Sequence, residues 1–253
     1  MKRAFIAAAL LGLGLSTALA TTASKPPAYI AAAIANPNRP AADTARDPER
    51  KPTQMLEFAG IKPGMKVVDL IPGKGYFTRL FATAVGPKGW VYAYEPTEFD
   101  SEYNDRKIPI PSGGDPHYPN FNFVHESITK FVLPEPADVV WTSQNYHDLH
   151  DKFTGPVDLA AANKAIYAAL KPGGYYIVLD HAAEAGSGLR DTDTLHRIDP
   201  AVVKKEVEAA GFKFVGESNV LRNPADPHTA LVFDKSIRGH TDQFIYKFQK
   251  PKK

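Results

Sequence analysis

Val67-Val68-Asp69-Leu70-Ile71-Pro72-Gly73-Lys74-Gly75-Tyr76-Phe77-Thr78 decides the fold of this chain. A short apolar run from Met65 to Leu70 carries one acid, Asp69, and enters a turn with Gly73 and Gly75. Apolar residues then recur at helical spacing: Tyr76, Phe77, Leu80, Phe81 and Val85. Strand, glycine turn and helix in that order are how open α/β sheets hold a nucleotide-like ligand beyond their strand ends. A second apolar run, Trp90 to Tyr94, closes on Glu95, 20 residues past Gly75. An acid at that distance commonly accepts hydrogen bonds from a ribose, which points to an adenosine derivative.

Outward from this stretch, strands and helices alternate. Strands are predicted over 65–71, 89–95, 121–125, 137–143, 174–180, 212–219 and 243–249, and helices over 75–85, 155–170 and 199–210. The pattern implies an α/β fold, a doubly wound sheet with helices on both faces. Asp47-Pro48-Glu49 starts a helix that carries Met55, Leu56 and Phe58 and stops at Gly60. Residues 21–45, rich in Ala, Pro, Thr and Asn, read as a mobile N-terminal arm, with a short helix near Tyr29–Ile34 that packs on the domain or covers the site. Residues 97–119 exceed a bare connection and read as a functional loop beside Glu95.

Residues 1–20 read as a secretory signal peptide, with basic Lys2 and Arg3, an apolar stretch from Ala4 to Leu15, and Ala18-Leu19-Ala20 for cleavage. The domain then spans 46–253, with a periplasmic or secreted location and no membrane contact once the leader is cleaved. The formal charge of +2 sits in that leader, so residues 21–253 hold 28 basic and 28 acidic residues. A balanced surface argues against a nucleic-acid partner. With no cysteine, disulfides, thiolate metal sites and a cysteine nucleophile are excluded.

The order of these pieces resembles the class I S-adenosylmethionine-dependent methyltransferases. Asp69 to Gly75 looks like their first motif, Glu95 sits where their ribose-binding acid sits, and Leu170-Lys171-Pro172-Gly173-Gly174 is similar to their turn into strand five. The Asp199-Pro200 start and Ala210-Gly211-Phe212 end of the following helix also match. The resemblance covers 46–220, and the tail from Asn223 to Pro251 resembles an exported branch of predicted methyltransferases. It implies a Rossmann-like fold with a mixed seven-stranded sheet, S-adenosylmethionine as cofactor and a small-molecule substrate. Ile71 departs from the pattern, standing at the family's first glycine. A β-branched side chain is not expected at glycine-only backbone angles, so the turn is expected to re-form through Pro72-Gly73.

For the cofactor, the resemblance and the turn single out Asp69, Pro72, Gly73, Gly75, Tyr76, Glu95, Glu126, Ser127 and Asn145. Gly73 and Gly75 allow close backbone approach, and the helix start offers free amides to a carboxylate; a plain strand–helix turn is the alternative. Glu95 is otherwise a solvated strand-end acid, and Tyr76 a core ring. Ser127 or Glu126 aligns with the family's adenine-binding acid. For catalysis, Tyr146, His147, Asp180 and His181 follow strands four and five, whose ends share one crevice. Three readings stay open: His147, or His181 oriented by Asp180, removes the acceptor proton; His147, His150, Asp180 and His181 bind a divalent metal; or the group is structural. The activity expected is methyl transfer from S-adenosylmethionine. The alternative is a methyltransferase fold without transferase activity, either a nucleoside-type binding module or a metal-assisted hydrolase using His147, His150 and His181.

Overall fold

Alternating burial along the strands builds the architecture. A computed structural model describes residues 25–101 and 114–252; the leader expected at 1–20 and the centre of the 97–119 loop lie outside the described residues. The strands are β1 (Lys66–Leu70), β2 (Trp90–Pro96), β3 (Phe121–Glu126), β4 (Ala137–Ser143), β5 (Leu170–His181), β6 (Lys213–Ser218) and β7 (Gln243–Gln249). They form one sheet in the order β3-β2-β1-β4-β5-β7-β6. β1 to β5 pair in parallel, and β7 runs antiparallel between β5 and β6. The expected mixed seven-stranded α/β sheet is therefore present.

The helices are α1 (Ala28–Ile34), α2 (Ala41–Thr44), α3 (Asp47–Arg50), α4 (Pro52–Ala59), α5 (Tyr76–Val85), α6 (Leu159–Ala169), α7 (Thr192–Leu195) and α8 (Pro200–Ala209). Because successive side chains of a strand leave on opposite faces, the central strands feed two cores. Val67, Val91, Val139, Trp141 and Ile177 pack with α1, α4 and α5. Val68, Leu70, Val140, Tyr176 and Val178 pack with α6 and α8. No helix among the described residues is long and apolar enough to cross a membrane.

Two differences from the sequence reading bear on the site. The helix expected from Asp47 to Gly60 breaks into α3 and α4 at Lys51, whose φ is +47°. Pro52 supplies no amide hydrogen and disfavours helical angles at the residue before it. The segment read as an arm, in its part from residue 25, carries α1 and α2 packed on the domain. Ile30 and Ala33 are buried, Asn36 Nδ2 donates to Thr83 Oγ1 at 2.9 Å, and Asp43 pairs with Arg79 at 2.7 Å. This brings α2 and α3 to the carboxyl ends of the strands, with α1 packed on α4 and α5.

Candidate functional site

A cleft of about 910 Å³ opens at the carboxyl ends of β1, β4 and β5. It lies where the strand order reverses between β1 and β4, the usual ligand crevice of an open α/β sheet. Its walls come from the β1–α5 turn, α2 and α3, the loop after β4, the end of β5, α7 and residues 221–243.

The β1–α5 turn keeps its path in spite of Ile71. Rather than re-forming through Pro72-Gly73, the chain places Ile71 itself in the left-handed region at φ +58°. That conformation costs a β-branched residue roughly 1–2 kcal/mol. Two hydrogen bonds hold it: the Ile71 amide donates to the Tyr94 carbonyl at 2.8 Å, and Asn145 Nδ2 donates to the Ile71 carbonyl at 3.0 Å. The expectation that a branched side chain would avoid these angles is corrected. Asn145, named for the cofactor, acts here as a clamp on the turn. Gly73 (φ +54°) has open space where a side chain would project, and Gly75 (φ +76°) caps α5. Pro72 accepts the Gly75 amide at 2.9 Å.

Asp69 is buried under α5, where Thr78 Oγ1 donates to its carboxylate at 2.6 Å. Burial pushes its carboxyl up to about 7, opposed by that hydrogen bond and by Arg50. Tyr76 lines the cleft and donates its hydroxyl to Asp47 Oδ1 at 2.7 Å. Above it lies Arg50, a residue the sequence reading missed. Its guanidinium sits 5.0 Å from the Tyr76 ring centroid and donates to Gln144 Oε1 at 2.7 Å. Its buried Nε has no hydrogen-bond partner among the described residues. Burial and the neighbouring Arg46 pull its pKa down to about 10. A guanidinium with spare donors, beside a helix start and a glycine open to the cleft, suits the carboxylate of an amino-acid group. The site thus fits the methionine end of S-adenosylmethionine.

The adenosine end is placed differently from the sequence reading. Glu95 closes β2 opposite His125 of β3 and is fully buried, outside the lining of the cleft. Glu126 and Ser127 also lie outside it. Ser127 Oγ donates to Glu98 Oε1 at 2.7 Å, and Glu98 also accepts the Ile128 amide. Glu98 thus caps the turn after β3, a contact invisible in sequence because the 97–119 loop has no periodic pattern.

The opposite wall gathers the histidines. Asp180 is fully buried and takes the His147 ring Nδ1 at 2.8 Å, the His147 amide at 2.8 Å and the His181 amide at 2.7 Å. Burial disfavours charge on His147, yet Asp180 and Asp148 outweigh it and hold the imidazole well above its usual range. Asp148, half-buried, is held down at about 2 by His147 and His196, against the desolvation that opposes its charge. His181 goes the other way: burial, then the charges of His147 and Arg197, push it well below its usual range. Its ring is oriented by Thr241 Oγ1, 2.7 Å from Nδ1, so the expectation that Asp180 orients the His181 ring is corrected. Asp180 orients His147 instead.

Two residues leave the cluster. Tyr146 is fully buried with its hydroxyl on Glu206 Oε2 (2.9 Å) and Asn163 (2.9 Å), behind the cleft. His150 also turns to Glu206, at 3.2 Å. The metal set of His147, His150, Asp180 and His181 is therefore not assembled. His196, at the end of α7, joins instead, with Asp148 and Asp151. The His-Asp-x-His-Asp spacing of 147–151 was the available signal; that His196 would meet it was not legible.

No family model matches the chain. It is 27% identical over 195 residues to the ubiquinone/menaquinone biosynthesis C-methyltransferase UbiE of Ectopseudomonas mendocina, covering 76% of this chain. The match spans 65% of that relative's length. Among solved structures, a SAM-dependent methyltransferase from Aquifex aeolicus superposes with a TM-score of 0.56 at 20% identity, covering 83% of this chain and 95% of that one. A Burkholderia thailandensis 1,6-didemethyltoxoflavin-N1-methyltransferase with bound S-adenosylhomocysteine gives 0.50 at 15% identity, over 83% and 79%. By strand order and these likenesses, the chain has the fold of S-adenosylmethionine-dependent methyltransferases and is similar in sequence to the UbiE C-methyltransferases.

Proposed function

We propose that this protein transfers a methyl group from S-adenosylmethionine to a small-molecule acceptor. The observation that carries the reading is the strained β1–α5 turn, opening with Gly73 and Arg50 onto a cleft whose far wall is a charged histidine cluster. The cofactor, when bound, supplies a methyl group already activated on a sulfonium. The protein therefore has to align the acceptor and exclude water.

In this reading Arg50 and the amides after Gly73 hold the amino-acid carboxylate. Phe153, Leu179 and Phe233 line the cleft as apolar walls. His181 takes the acceptor proton, because it lines the cleft as a neutral imidazole with Nδ1 tied to Thr241 and Nε2 left over. His147, already cationic, has no capacity to accept a proton. Residues 1–20 direct export in this reading, which cell fractionation of the full-length protein tests.

Calorimetric titration of the purified protein with S-adenosylmethionine and S-adenosylhomocysteine tests the reading. Micromolar binding is expected, about −8 kcal/mol. Arg50→Ala should weaken it by about 1.5–3 kcal/mol, the range for a hydrogen bond to a charged group. Absence of binding at millimolar ligand would overturn the proposal.

A further inference from the structure

The His147 wall does more than present imidazoles to the cleft. His147, Asp148, Asp151 and His196 each offer one ligand atom, and these four atoms all lie within 4.8 Å of one another. Three of the separations are tighter. His147 Nε2 is 3.2 Å from His196 Nδ1 and 3.1 Å from Asp148 Oδ1, and His196 Nδ1 is 3.4 Å from Asp148 Oδ1. Ligand bonds of about 2.0–2.1 Å in a tetrahedron put neighbouring donors roughly 3.3–3.4 Å apart. The triangle therefore has the size of one face of a metal coordination shell.

Two further features point to a ligand. Asp151 is 1% exposed, and both its carboxylate oxygens are buried with no hydrogen-bond partner in acceptable geometry among the described residues. The Thr192 hydroxyl beside it, which also serves the Leu189 carbonyl at 3.3 Å, is the single side-chain donor that favours its ionised form. A buried carboxylate without partners is costly unless a cation meets it. In addition, Asp180 grips His147 through Nδ1 at 2.8 Å, which aims Nε2 into the cluster. A carboxylate behind an imidazole is the usual outer support of a histidine metal ligand. All four residues line the cleft, so an ion here would keep a side open to it.

We propose that His147, Asp148, Asp151 and His196 bind one divalent first-row transition-metal ion, which displaces the proton from His147 Nε2 and takes a fifth ligand from the cleft side. Two imidazoles and two carboxylates suit Zn²⁺ or Mn²⁺ better than Mg²⁺ or Ca²⁺, which prefer oxygen alone. The site needs no transferase activity to exist. That the open position receives an oxygen of the methyl acceptor, and so selects hydroxylated acceptors, rests on the transferase reading.

The test is titration of chelator-treated, untagged protein with ZnCl₂ and with MnCl₂, followed by elemental analysis after dialysis. One ion per chain is expected. Asp151→Asn, close in shape, and His196→Ala, on a partly exposed loop, should each weaken binding at least tenfold while far-UV circular dichroism stays native. His150→Ala should leave the affinity within about twofold. Asp180→Asn, one shell out, should cost about 10–100-fold. Lack of stoichiometric binding by the parent at 1 mM metal overturns the site, and so does unchanged affinity in folded Asp151→Asn or His196→Ala. The S-adenosylmethionine titration is run separately: cofactor binding without metal sinks only this proposal, and metal binding without cofactor sinks only the transferase reading.

Discussion

One wall of the cleft is made from consecutive residues, Asp69 to Thr78, while the other is assembled from separate stretches: 147–151, 180–181, 196 and 241. The first works mainly through backbone. A left-handed Ile71, an open Gly73 and the free amides of α5 shape a receptor for any anion of the right size. The second works through side-chain charge, with Asp180 fully buried against a cationic His147 and a neutral His181 beside them. The difference teaches where specificity resides. The backbone wall offers a carboxylate little beyond charge and size to recognise, whereas the charged wall sets which groups meet the acceptor side of the cleft.

The largest effect should come from breaking the charged wall at its root. Asp180→Asn leaves His147 facing an amide in place of a buried carboxylate. Loss of one partner of a buried ion pair costs about 3–5 kcal/mol. For a chain of this size that is a fall in melting temperature of about 6–20 °C. Thermal unfolding measures it, and a loss under about 1 kcal/mol would show that Asp148 alone sustains the charge.

The two walls should also respond to different ranges of pH. Asp69 has a carboxyl near 3.8 when unfolded and about 7 when folded, so the folded chain holds one more proton between these values. Its contribution is full below about 4 and is lost as pH rises through about 7, at up to about 1.4 kcal/mol per pH unit. His147 is raised above its usual 6.5, so its contribution is full below that value and is lost only at higher pH. Urea unfolding between pH 4.5 and 7 should show a flatter profile in Asp69→Asn than in the parent, with the decline above 6.5 retained. Parallel profiles would mean that Asp69 is ionised in the folded protein.

The smallest effect is expected at the turn itself. Ile71→Gly gives up a buried apolar side chain and adds about 0.5–1 kcal/mol of backbone entropy cost. It also relieves about 1–2 kcal/mol of left-handed strain. The net change should stay within about 1 kcal/mol, whereas Leu70→Ala next to it should cost about 2–5 kcal/mol. Denaturant titration compares the two, and equal losses would show that Ile71 is held without strain.

How far the sequence was legible follows the same division. All seven strands and the helices around α5, α6 and α8 were readable, because apolar periodicity reports burial directly. The turn was located correctly but its dihedrals were not. Hydrogen bonds from Tyr94 and Asn145, distant in sequence, hold Ile71 where its own preference would not. The split of α3 from α4 was in principle readable from Pro52. Arg50 was not, since nothing in its neighbours distinguishes it from a surface arginine.

By itself the sequence determined which residues are strand, turn and helix, and hence that the ends of β1, β4 and β5 share one crevice, because local patterning and parallel winding dictate these. The tertiary structure alone decided that Tyr146 and His150 face Glu206, that Asp180 serves His147 rather than the His181 ring, and that His196 completes a cluster with Asp148 and Asp151. Those outcomes depend on rotamers and on loops that meet across 33 residues or more of chain. Periodicity carries no information about them.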